Sequence, residues 1–230
     1  KSLIWHLSAA AKVPSWILYY DNRNILYLLA RHFGPGAVRH GTQWIVKKAL
    51  YYALLGKQDL AQLHIEGIED FQNNQTGKKD IRLTGMTKAA NDIAPVFADP
   101  AIQRILISCT VNMQASNIQA ELVKAMKKRP ELTVFYLFPP KQLKDFPKIQ
   151  VPGSIPVHIS NSRILRYWSY FKLRNQFDLV IQSDYIPMLP LSWVAKQNVF
   201  INDENFCLRP KPVLKEILKM LPVLWKYYKA

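Results

Sequence analysis

Arg104-Ile105-Leu106-Ile107-Ser108 is a short apolar run, and its reading sets the fold class. It is too brief for a buried helix and suits a strand covered on both faces. A helical stretch over about 114–129 follows, with Ile118, Leu122, Val123 and Met126 on one side. Leu132-Thr133-Val134-Phe135-Tyr136-Leu137-Phe138 then reads as a second strand and Val157-His158-Ile159 as a third. Asp178-Leu179-Val180-Ile181-Gln182 makes a fourth, and Asn198-Val199-Phe200-Ile201-Asn202 a fifth. A helix over about 161–176 separates the third from the fourth, and a last helix covers about 211–229. Strands alternating with helices imply βαβ crossovers. The expectation is an α/β chain whose residues 101–230 form a small Rossmann-like parallel-sheet domain.

Towards the N-terminus the pattern changes. Residues 81–100 lack strong periodicity and close on Asp99-Pro100, so they read as a linker. Upstream of Asn73-Asn74-Gln75-Thr76-Gly77-Lys78-Lys79-Asp80, the periodicity is helical throughout. One helix covers 16–33, with Ser15 as a candidate cap and Gly34-Pro35-Gly36 as its stop. A second covers 38–55 and a third about 60–72, with Asp59 able to cap it. Residues 1–80 are thus expected to be a helical segment.

The chain has 230 residues with 31 basic and 16 acidic ones, a net charge of +15. Residues 101–230 hold most of the excess, with 19 basic and 8 acidic residues. Such a field favours anionic partners: a membrane surface, nucleic acid or phosphorylated substrates. Nucleic acid is disfavoured, because no zinc spacing, RNP motif or basic arm occurs. Cys109 and Cys207 have no motif spacing, which suits a reducing compartment. No apolar run approaches the ~18 residues of a membrane span. A cytoplasmic protein peripheral to the inner face of the cell membrane is the expectation.

Trp5-His6, a short gap, then Trp16-x-x-Tyr19-Tyr20-x-x-Arg23-Asn24-x-x-Tyr27 forms a pattern of its own. It resembles the end of the catalytic domain in bacterial family 2 glycosyltransferases, of the galactofuranosyl- and rhamnosyltransferase type. Ile65-Glu66-Gly67-Ile68-Glu69-Asp70-Phe71 and Gly77-Lys78-Lys79 resemble that family's Gly-Ile-x-Asp-Gly segment and Gly-Lys ending, with Phe71 where the family has Gly. The resemblance covers roughly residues 1–80.

It implies the tail of a GT-A type catalytic domain, with the nucleotide-binding part and the catalytic carboxylates upstream of Lys1. It also implies transfer from a nucleotide-diphosphate sugar to a glycan or lipid-linked acceptor in surface polysaccharide synthesis. His6 would complete a Mn or Mg site, and Trp5, Trp16, Tyr20 and Arg23 would lie near the acceptor. The residues alone leave other readings open. His6 can be an ordinary histidine beside Trp5. Tyr19 and its aromatic neighbours can be core, and Arg23 can be a buried structural pair. Asp21 is a poor partner for Arg23, since residues two apart on a helix do not face each other.

The second domain offers a site only at the carboxyl ends of its strands, near residues 108–112, 183–185 and 202–204. The turn after the first strand has no glycine for a phosphate cradle. Asp184, Asp203 and Glu204 read as loop caps, and His158 as packed.

Two basic–aromatic helices stand out. The first carries Arg163, Arg166, Lys172 and Arg174 among Ile164, Leu165, Tyr167, Trp168, Tyr170 and Phe171. The C-terminal one places Lys211, Lys215, Lys219, Lys226 and Lys229 beside one stripe of Leu214, Ile217, Leu218, Leu221, Leu224, Trp225 and Tyr228. Either pattern suits a helix lying in an anionic membrane interface or one docked on the sheet with a solvated lysine face. A non-enzymatic docking module, or a second domain with its own sugar site, remain the rival functions. Homo-oligomerisation stays open.

Overall fold

The computed structural model describes residues 15–79, 87–111, 117–138, 151–184, 187–202 and 205–229. It divides the chain into two compact units. One comprises Lys1–Gly85 with Pro212–Ala230, and the other Met86–Lys211.

The first unit is helical. Its helices are α1 (Ser15–His32), α2 (Pro35–Leu54), α3 (Gln58–Gln72) and α7 (Leu214–Lys229). On α1, Tyr19, Asn22, Arg23 and Leu26 are buried, the spacing of one helical face. Leu26 joins Ile45, Val46 and Ala49 of α2, and Ile65 and Ile68 of α3, in a core completed by Leu224 and Tyr227 of α7. Gly67 lets α3 approach α1: a Cβ there would come within 3.1 Å of Asn22 Cβ and 3.2 Å of Tyr19 O. Gly34 and Gly56 turn the chain between helices at positive φ, where a side chain would be strained.

α7 corrects the expected domain boundary. Residues 212–230 complete the helical unit instead of packing on the sheet. The physical reason is α7's second apolar seam. Ile217, Leu224 and Tyr227 are buried, and the Tyr227 hydroxyl donates to Glu69 at 3.0 Å. The Gln43 side chain donates to the Tyr228 carbonyl at 3.1 Å. The helix passes through Pro222 on its exposed side, where water can serve the carbonyl that loses its donor.

The second unit is a twisted sheet with helices on both faces. Its elements are β1 (Thr87–Ala89), α4 (Ala94–Ala98), β2 (Arg104–Ile107), α5 (Ile118–Lys128), β3 (Thr133–Phe138), β4 (Ile155–His158), α6 (Arg163–Lys172), β5 (Phe177–Ser183), β6 (Ala195–Ile201) and β7 (Asn205–Pro210). The described strands form one seven-stranded sheet of order β1-β7-β6-β5-β2-β3-β4. The run β4-β3-β2-β5-β6 is parallel, as expected for a Rossmann-like unit. β7 and β1 are antiparallel additions that the sequence reading placed in no strand.

β2 lies inside the sheet and is covered on both faces. Ile105 and Ile107 enter a core with Ile118 and Leu122 of α5, and Leu106 enters the opposite core with Tyr170 of α6. Residues 87–98 of the expected linker belong to this unit: β1 pairs with β7, and Ile93 and Phe97 are fully buried in the α5 core.

Leu224→Ala should remove about 2–5 kcal/mol of stability from the helical unit, the usual cost of a buried leucine truncation. Hydrogen exchange checks this: protection should fall in α2 and α3 and stay unchanged in β2 and β5.

Candidate functional site

The two motif segments of the first unit meet in space. The Tyr19 hydroxyl on α1 donates to Asp70 on α3. Arg23 Nη1 donates to Tyr19 Oη at 3.2 Å and to the Gly77 carbonyl at 3.0 Å. Lys79 Nζ donates to Asp70 at 3.0 Å and lies 3.1 Å from Glu66. The Tyr20 hydroxyl accepts the Lys79 backbone N–H at 2.7 Å and stands 3.3 Å from that residue's own carbonyl. The Arg23 guanidinium lies 5.3 and 5.0 Å from the Tyr19 and Tyr20 ring centres, a cation–π distance.

Neighbours set the charge states. Burial works to raise the Asp70 carboxyl, but hydrogen bonds from Tyr19 and Lys79 outweigh it and hold its pKa below the ordinary range. Burial, and then the bond to Asp70, push the Tyr19 phenol up. Burial works to lower Lys79, yet its bonds to Asp70 and Glu66 raise it on balance. The result is a charged clamp that ties residues 77–79 to α1 and α3.

Tyr20 and Arg23 are therefore brought together, with Arg23 buried and its donors turned to Gly77, Tyr19 and Asn24. Tyr19 is fully buried, in keeping with the reading of that side chain as core. Trp16 lies in the first turn of α1, and His6 and Trp5 lie outside the described residues. Asp70, Glu66 and Lys79 were not among the expected site residues. Tyr19 and Asp70 stand 51 residues apart, so no local spacing links them. Only the place of Glu66, Asp70 and Lys79 in the segments 65–71 and 77–79, singled out in the sequence, pointed to them.

Among the described residues no group of three or more His, Cys, Asp or Glu could hold a metal ion. His6, the residue that the resemblance puts at a Mn or Mg site, lies outside the described residues.

In the second unit, α5 and α6 lie on opposite faces and the strand order reverses between β2 and β5, the usual position of a ligand crevice. Its described polar groups serve mainly one another. Ser108 Oγ lies 2.9 Å from Thr110 Oγ1. Gln182 Nε2 donates to Ser192 Oγ at 3.0 Å, and Gln182 Oε1 accepts the Met188 N–H at 2.9 Å. Residues 112–116, 185–186 and 203–204 lie outside the described part, Asp203 and Glu204 among them.

α7 shows two faces. Opposite part of its buried seam, Leu214, Leu218, Leu221 and Trp225 form an exposed stripe at helical spacing. Lys215, Lys219, Lys226 and Lys229 are exposed beside it, with Lys229 Nζ 4.8 Å from the Trp225 ring centre. Lys211 departs from the expectation. It belongs to the sheet unit, where its amine donates to Asn175 Oδ1 at 2.7 Å and its N–H to the Lys196 carbonyl at 2.9 Å. Among the described residues no helix is long and apolar enough to cross a membrane.

No protein-family description, curated protein or solved structure matches this chain.

Asp70 gives a pH signature. Its folded pKa is depressed, so its stabilisation is present above the unfolded carboxylate pKa and is lost as pH falls through the folded value. Asp70→Asn should cost about 1–3 kcal/mol at neutral pH, as for a lost hydrogen bond to a charged group. Urea unfolding at a series of pH values should show that deficit shrinking in acid. A deficit independent of pH would separate Asp70 from the clamp.

Proposed function

We propose that the chain is the C-terminal part of a nucleotide-sugar-dependent glycosyltransferase that builds bacterial surface polysaccharide at an anionic membrane. The observation that carries this reading is the convergence of its two motif segments. Tyr19, Tyr20 and Arg23 on α1 hold Asp70, Gly77 and Lys79 by direct hydrogen bonds. Segments that resemble one family in sequence thus form one physical unit.

In this reading the clamp ends the catalytic domain in a fixed geometry. Tyr20 and Arg23 would act on the acceptor side by positioning the 77–79 segment. By the resemblance, Trp5 and Trp16 would serve the acceptor as well, and His6 the metal. The metal carboxylates and the general base would lie upstream, so the chemistry itself is assigned to no residue described here.

The membrane half of the proposal rests on α7. Its exposed Leu214–Trp225 stripe with flanking lysines has the make-up of an interfacial helix. A lipid-linked acceptor would be held at that surface, and lysines favour an anionic one.

The test is sugar transfer to a lipid-linked acceptor. A longer polypeptide carrying the upstream region should transfer sugar, and these 230 residues alone should not. Arg23→Ala in the longer polypeptide should lower kcat through the loosened clamp. Transfer unaffected by Arg23→Ala, or turnover by the 230 residues alone, would overturn the assignment. For α7, Lys215→Ala with Lys226→Ala should weaken co-sedimentation with anionic vesicles about thirtyfold, at ~1 kcal/mol per lysine. The effect should shrink as salt rises. Affinity equal to that of the unaltered chain would remove α7 from the membrane.

A further inference from the structure

α6 buries one narrow face. Tyr170 is its buried side chain, and Leu173 just beyond it packs partly into the same core. The Arg166 guanidinium turns back to the Ser160 and Asn161 carbonyls at 3.3 and 3.0 Å. The other side of the helix is apolar and open. Ile164 is 81% exposed, and Leu165, Tyr167, Trp168 and Phe171 are between 55% and 62% exposed. The Trp168 and Phe171 rings stack on each other at 5.4 Å. Ile164, Tyr167, Trp168 and Phe171 follow the spacing of one face, so this is a contiguous patch and not scattered surface residues.

The charge along this segment is of one sign. No acidic residue occurs between Phe146 and Phe177, whereas Arg163, Arg166, Lys172 and Arg174 do. Lys172 and Arg174 are exposed at the end of the helix. A protein partner as basic as this chain would be repelled, and a second copy carries the same net charge of +15. An anionic bilayer matches both features. Indole and phenol rings settle at the headgroup level, aliphatic side chains reach the acyl boundary, and cations meet the headgroups.

We propose that α6 is an interfacial helix that inserts the Ile164–Trp168–Phe171 face into an anionic phospholipid surface. It gives the sheet unit a membrane contact of its own. The proposal extends the membrane half of the functional reading and stands without the lysines of α7.

The test uses the full chain. Trp168→Ser with Phe171→Ser removes two exposed rings and leaves Tyr170 in place, so thermal melting should be unchanged. Binding to vesicles of mixed phosphatidylglycerol and phosphatidylcholine should fall by at least about tenfold, because two aromatic anchors leave the interface. Vesicles carrying brominated acyl chains should quench the part of the fluorescence that Trp168→Phe removes. Unchanged vesicle affinity, or a Trp168 signal that brominated lipid does not quench, overturns the proposal. So does a double variant that changes self-association in sedimentation while vesicle binding persists. Loss of binding on altering Lys215 and Lys226 but not Trp168 and Phe171 leaves α7 standing and removes α6. The reverse result leaves α6 and removes α7.

Discussion

Leu224 and Tyr227 complete a core whose other members come from Leu26 to Ile68. Apolar surface on α2 needs a cover, and the last helix supplies it through hydrophobic contact. This constrains the course of the whole chain. Residues 86–211 become an insertion between α3 and α7. An inserted unit is tolerated when its two ends lie close together. Here they do: β1, where the chain enters, pairs with β7, where it leaves, in the register Thr87↔Cys207 to Ala89↔Asn205. The antiparallel edge of an otherwise parallel sheet is thus the closure of the insertion. It also covers what would otherwise be the exposed edge of β6.

The insertion redistributes charge. By sequence position the basic excess falls after residue 100. By unit it is almost even, with 15 basic and 7 acidic residues in the helical unit against 16 and 9 in the sheet unit. Each unit therefore has its own positive field, and each has an exposed apolar helix face beside cations, on α7 and on α6. Attraction to an anionic surface then needs no special arrangement of one unit on the other.

In the helical unit the polar clamp and the close α1–α3 contact depend on each other. Gly67 permits the approach, and Tyr19 and Arg23 use it to reach Asp70 and Gly77. Buried charges are tolerable only when paired, and here each cation has an acceptor in place. His64 shows the alternative outcome. Burial lowers its pKa to about 4, and its Nδ1 meets the Leu60 carbonyl at 2.7 Å, so it stays neutral.

The sequence by itself determined the five parallel strands and the longer helices. Short apolar runs such as Ile105-Leu106-Ile107, alternating with longer periodic stretches such as 118–128, made the α/β class and the parallel strands legible. The apolar positions of α7 were legible only as one set; packing divided them into buried Ile217 and Leu224 and exposed Leu214, Leu218, Leu221 and Trp225. Only the tertiary structure decided what α7 packs on, because Leu224 fits an apolar groove on α2 as well as it would fit a sheet and no local rule separates them. β1 and β7 escaped notice because Thr87-Lys88-Ala89 and Asn205-Phe206-Cys207-Leu208-Arg209-Pro210 carry no β-branched apolar residue, and the two pair with each other from far apart in the chain. The clamp escaped in the same way. Tyr19, Asp70 and Lys79 owe their shifted pKa values to burial and to groups brought together by folding, which no stretch of the chain contains by itself.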